Sequence, residues 1–176
     1  MKKLLVAVVL LVTTMMSAQK GSILLGGNVG FGSEKIGDDK YENFEFSPKV
    51  GYQFTDNWTL GVEGSILNYK ESGSKREEAY RVGVFTRYSV PLSDLFSFYT
   101  DFGVGYQERT IDNTKGVYAS LTPALFINMK RGFGLNFSIG GINYDNLSGK
   151  GNPREERLGF NFGKTLNIGI SKNFGL

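Results

Sequence analysis

Phe44-Glu-Phe-Ser-Pro-Lys-Val-Gly-Tyr-Gln-Phe54 alternates without a break. Phe44, Phe46, Pro48, Val50, Tyr52 and Phe54 fill the even positions, and Glu45, Ser47, Lys49, Gly51 and Gln53 fill the odd ones. Successive side chains of an extended chain point to opposite faces, so this stretch reads as a strand with one apolar face and one polar or bare face. A helical period would mix the two sets on every side.

The same split recurs along the chain. Trp58, Leu60, Val62 and Ile66 oppose Thr59, Gly61, Glu63 and Ser65; Tyr80, Val82, Val84 and Tyr88 oppose Arg81, Gly83 and Arg87. Phe96, Phe98, Phe102, Val104 and Tyr106 oppose Ser97, Asp101, Gly103 and Gln107. Val117, Leu121, Leu125 and Ile127 oppose Tyr118, Ser120, Thr122 and Asn128; Phe133, Leu135, Phe137 and Ile139 oppose Gly134, Asn136, Ser138 and Gly140. Ser22–Gly32 sets Ile23, Leu25, Val29 and Phe31 against Gly26, Asn28 and Gly30, and Leu166, Ile168 and Ile170 oppose Thr165, Asn167 and Gly169. Eight strands are predicted. Short turns are expected at Thr55–Asn57, Pro91–Leu95 and Met129–Gly132, and longer polar loops at Ser33–Asn43, Lys70–Glu78, Arg109–Lys115 and Asp145–Glu156. An aromatic recurs ten residues on from Pro48, Thr86 and Pro123, each just past a short turn. That spacing is an internal repeat one hairpin long, as an up-and-down meander requires.

The orientation of the two faces follows from volume. An eight-stranded interior is just wide enough to be filled by side chains. The Phe- and Tyr-rich face would overfill it, whereas Gly, Ser, Asn, Thr and a few charges fit. The apolar face is therefore expected outward, toward lipid, which makes the chain an all-β, eight-stranded, antiparallel transmembrane barrel. Aromatics gather at both strand ends, where interfacial girdles belong. Phe54, Trp58, Tyr88, Phe96 and Phe133 border the short turns, and Phe31, Phe44, Tyr80, Tyr106 and Tyr144 border the polar segments.

Composition narrows the chemistry. Gly numbers 24 of 176 residues, and Cys and His are both absent. Disulfides, Cys/His zinc sites, thiol nucleophiles and imidazole bases are excluded. The formal charge of +3 shrinks once Lys2 and Lys3 are set aside, so no nucleic-acid partner is indicated. Those two lysines precede the apolar run Leu4–Val12 and the small-residue end at Ala18, the pattern of a secretory signal peptide. Residues 1–18 are read as that signal, cut after Ala18, and 19–176 as the barrel domain.

The stretch Phe46-Ser-Pro-Lys-Val-Gly-Tyr-Gln-Phe-Thr-Asp-Asn-Trp-Thr-Leu-Gly61 resembles the second hairpin of small outer-membrane β-barrel proteins of the porin-family class, OmpX-like and OmpA-barrel-like. The resemblance implies a Gram-negative outer-membrane address and a terminal strand read by the outer-membrane assembly machinery. That family's last residue is usually aromatic. Here it is Leu176, with Phe174 two residues before it in the same phase.

Several residues strain the pattern. Pro48 and Pro123 fall mid-strand, where each removes a ladder hydrogen bond, so bulges or ladder edges are expected there. Lys164 and Lys172 share the outward phase and are expected at the outer and inner headgroup levels, which sets an apolar band near residues 165–172.

The inward charges are Glu45, Lys49, Glu63, Arg81, Arg87 and Asp101. Charges in a narrow interior must pair or stay wet, which predicts a salt-bridge plug. Glu34, Asp38, Asp39 and Glu42 beside Lys35 and Lys40 read as a solvated loop rather than a metal site. Lys150, Arg154 and Arg157 are candidates for lipopolysaccharide phosphates. The expected role is structural or surface-interactive, in a monomer that is not an enzyme, needs no cofactor and displays four loops. A narrow pore for ions or small solutes is one alternative. A soluble, lipocalin-like ligand-binding barrel in the periplasm is another.

Overall fold

The computed structural model describes residues 21–36, 39–71, 77–149 and 151–175. These form eight strands: β1 (Ser22–Ile36), β2 (Asp39–Gln53), β3 (Trp58–Glu71), β4 (Glu77–Pro91), β5 (Phe96–Arg109), β6 (Thr114–Lys130), β7 (Phe133–Gly149) and β8 (Asn152–Gly175). Each is antiparallel to its neighbour in sequence, and β8 returns to β1 to close the barrel. The expected signal segment, residues 1–18, lies outside the described residues.

The two faces are as the alternation requires. Val62, Val84, Phe102 and Val104 stand on the outer surface, while Thr59, Arg87, Asp101, Gln107 and Ser171 are buried inside. The inverted arrangement of a soluble ligand-binding barrel is thereby ruled out. Nine of the ten expected interface aromatics lie on strands, and Phe54 follows directly after β2; all but the half-buried Tyr144 are exposed. Trp58 and Tyr88 are direct cross-strand partners with ring centroids 4.9 Å apart.

The three short turns fall where expected, at 54–57, 92–95 and 131–132. Three of the four long loops do not, and most of the fourth, Lys70–Glu78, lies outside the described residues. Ser33–Ile36 belongs to β1 and Asp39–Asn43 to β2; β5 and β6 leave only residues 110–113 between them. β7 runs to Gly149 and β8 starts at Asn152, so most of the expected Asp145–Glu156 loop is ladder. The physical reason is that alternation reports burial, not pairing. Beyond the apolar belt both faces are wet and alternation fades, but the ladder continues, supported by pairs such as Glu108–Lys115 at 3.1 Å and Arg109–Glu155 at 2.7 Å.

The prolines mark two ladder irregularities. Next to Pro123 the β6–β7 register shifts between Leu121 and Ala124, where β7 carries one extra residue around Gly140 (φ 131). Ser47 and Pro48 drop out of the β2–β3 ladder, which resumes in the same register at Lys49–Glu63. The apolar stripe on β8 is longer than 165–172, since Leu158, Phe160 and Phe162 continue it on the exposed face. The Lys164 side chain lies outside the described residues.

Candidate functional site: the charged lumen

Inward phase brings a two-tiered polar cluster into the barrel. In the lower tier, Arg87 and Asp101 are direct partners across the β4–β5 ladder. The guanidinium donates Nε to Oδ1 at 2.7 Å and Nη2 to Oδ2 at 3.0 Å, a bidentate pair. Lys49, on the far wall, reaches the same carboxylate at 2.9 Å and its own cross-strand partner Glu63 at 2.8 Å. Tyr118 on β6 donates its hydroxyl to Glu63 Oε1 at 2.9 Å. Opposite walls are thus tied together by charge.

Aromatic rings complete this tier. The Arg87 guanidinium stacks on Tyr99 at 3.7 Å from the ring centroid, and Lys49 Nζ lies 5.0 Å from that of Phe85. Phe85 is only 1% exposed. The Tyr99 hydroxyl bonds Asn136 at 3.1 Å, and Asn136 donates to Ser171 at 2.9 Å, which carries the network to β7 and β8. Two cations and two carboxylates therefore balance in a setting where an unpaired charge would be costly.

In the upper tier Arg81 donates to Gln107 at 3.0 Å and to Asp145 at 3.0 Å, and Gln107 donates to the same carboxylate oxygen at 2.8 Å. Above and around it lies a cavity of about 450 Å³, whose wall includes Glu45, Arg109, Glu155 and Arg157. Of the six inward charges read from the sequence, Lys49, Glu63, Arg87 and Asp101 meet in one cluster. Arg81 joins the upper tier, and Glu45 stays on the exposed cavity wall, accepting from Ser47 at 2.8 Å.

Three participants escaped the sequence reading. Phe85 and Tyr99 share the inward phase of Arg87 and Asp101, so phase alone would have flagged them. The sequence pattern places Asp145 in a loop; the extra residue near Gly140 turns it and Leu147 inward. At the outer rim, Arg154 pairs with Glu156 at 2.9 Å and with Asn146 at 3.1 Å. Lys150 and Asp38 lie outside the described residues. Among the described residues, no three acidic side chains gather as metal ligands.

Residues 4–123 match the family model of the outer membrane protein beta-barrel domain. A search of curated proteins finds no match. Among solved structures, the chain is similar to the outer membrane protein OprG from Pseudomonas aeruginosa, at 11% identity and a TM-score of 0.49, over 89% of this chain and 97% of that one. It is also similar to the outer membrane enzyme PagL, at 10% identity and a TM-score of 0.40, over 89% and 99%. Against OmpT of Vibrio cholerae the figures are 13% and 0.35, over 90% of this chain and 52% of the other.

Proposed function

The chain belongs to the outer membrane protein β-barrel domain family and resides in the outer membrane, and from that premise we propose that it is a sealed barrel whose work is done at its outer rim. The observation that carries this reading is the Lys49–Glu63–Arg87–Asp101 cluster, which crosses the lumen wall to wall with Phe85 and Tyr99 packed against it. Water and ions passing along the axis would have to separate buried opposite charges, each of which costs several kcal/mol to strand. The role is structural or surface-interactive, without catalysis or cofactor. The chain acts as a monomer inserted by the outer-membrane assembly machinery.

Among the described residues the rim presents polar hairpin ends rather than long loops. Arg154 on β8 offers a guanidinium group suited to lipopolysaccharide phosphates, whereas Arg157 faces the cavity beside Asp145. Lipopolysaccharide co-purifying with the wild type, and lost from R154E, would support that contact; equal retention by both would remove it. The cavity above the cluster favours one rival reading, a narrow pore for ions or small solutes. Single-channel recording separates the two, because a sealed barrel gives no current steps.

A further inference from the structure

The β1–β8 seam is paired only over Ser22–Gly27 with Gly175–Ile170. Above it, the β1 edge from Asn28 and the β8 edge from Gly169 have no ladder partner on that side among the described residues. Side-chain exposure follows the same parting. The outward phenylalanines flanking it, Phe31 (74%), Phe160 (74%) and Phe162 (62%), are more exposed than Phe46 (46%), Phe98 (43%) and Phe102 (47%), whose strands are paired on both sides at those positions. A residue loses that extra cover when its lateral neighbour strand is missing.

The backbone parts where it can bend. Gly27, the last paired residue of β1, has φ 147. On β8, Gly163 has φ 75, and residues 163–166 find no β7 partner between the Asn167–Ser138 and Phe162–Gly140 pairs. Both conformations favour glycine. These bare edges lie beside Phe31, Phe160 and Phe162 on the apolar outer face, where lipid offers backbone groups nothing to bond. The neighbour that fits each edge best is the other. Continuing the existing register sets Asn28 against Gly169, Val29 against Ile168, Gly30 against Asn167 and Phe31 against Leu166. The Asn28 side chain already lies against Gly169, its Oδ1 2.0 Å from where a Cβ would stand there.

We propose that the outer half of the β1–β8 seam is a lateral gate, swinging on Gly27 and Gly163 between the parted form seen here and a zipped form in which Asn28–Phe31 pair with Gly169–Leu166. Parted, the seam opens the polar inner wall at Asn28 and Asn167 sideways to the bilayer. Zipped, it restores a continuous wall. This movement does not require the Arg87–Asp101 cluster to break, so the gate is independent of the seal along the axis.

The chain has no cysteine, so engineered pairs read the seam directly. G30C/N167C points inward and V29C/I168C outward, and a Cβ at Gly30 meets nothing nearer than Glu45 Cβ at 3.7 Å. V29C/F162C is the out-of-register control. In lipid vesicles the gate predicts two results. Thiols of an in-register pair react with a bulky polymer-linked maleimide before oxidation. Mild oxidation then closes an intramolecular disulfide in at least one in-register pair, some tenfold faster than in the control, since disulfide geometry demands close Cα atoms. Failure of both in-register pairs to cross-link would mean a seam fixed apart, and complete resistance of the inward pair to the maleimide would mean a seam fixed shut. Either overturns the proposal.

Discussion

Arg87 and Asp101 face each other across the β4–β5 ladder, and the guanidinium grips the carboxylate with two bonds of 2.7 and 3.0 Å while stacking on Tyr99. Both side chains are almost wholly buried. Geometry this specific, at the middle of a membrane barrel, makes the pair the first target for substitution.

Removing one partner strands the other. D101N leaves Arg87 without its counter-ion and Lys49 with Glu63 alone, and should cost about 3–5 kcal/mol. R87M/D101L, which removes both charges and keeps volume, should cost less than either single change. Urea unfolding in lipid vesicles gives these values, and a double variant worse than both singles would show that the pair is not a unit.

Glycines of the wall should divide by what surrounds them. A Cβ on Gly61 would sit 2.2 Å from the Val50 carbonyl oxygen and 2.6 Å from the Phe85 ring, whereas one on Gly30 has ordinary contact only. G61A is expected to destabilise by about 1–3 kcal/mol, and G30A to stay within roughly 0.5 kcal/mol of wild type. The shift in the temperature at which the barrel loses its compact gel mobility in detergent orders the two.

Orientation is tested by one charge on the outer face. Val84 stands outward, midway along β4 between Tyr80 and Tyr88. V84K should lose about 2–4 kcal/mol in a bilayer, the cost of a lysine near the midplane. A lysine there that costs nothing in vesicles would mean that this face does not meet lipid.

Acid should loosen the turn between β5 and β6 first. The Thr114 hydroxyl, 2.7 Å from Asp112 Oδ1, together with the backbone N–H of the same residue, holds the Asp112 carboxyl below its ordinary range. A carboxyl lowered in the folded state contributes stability above its unfolded pKa, and that contribution is lost as pH falls through the lower folded value. Protection of the Asn113 and Thr114 amides, taken relative to the intrinsic exchange rate at each pH, should therefore fall on acidification in the wild type and be insensitive to it in D112N. Identical acid profiles would remove Asp112 from the turn.

Much of this architecture is legible in residues read in order. Phe44–Phe54 alone specifies a strand and its two faces, and the aromatics beside the short turns give the hairpin repeat. What escapes has physical causes. Past the apolar belt, residues such as Glu42, Lys70 and Asn146 pair in the ladder with water on both sides, so no alternation betrays them. The phase of β7 flips where it carries an extra residue beside Pro123, and that flip carries Asp145 into the lumen. Phe85 and Tyr99 break the rule that the inner face is small, because stacked cations need rings as well as counter-ions.

The sealed lumen is the central claim, and single-channel recording in a planar bilayer tests it most directly. The wild type should give no resolvable current steps in concentrated potassium chloride. R87A/D101A, which removes the central pair and its bulk, should give small, steady steps while keeping the heat-dependent gel shift of a folded barrel. Wild-type steps of the same size as the variant's would contradict the account and make the barrel a pore.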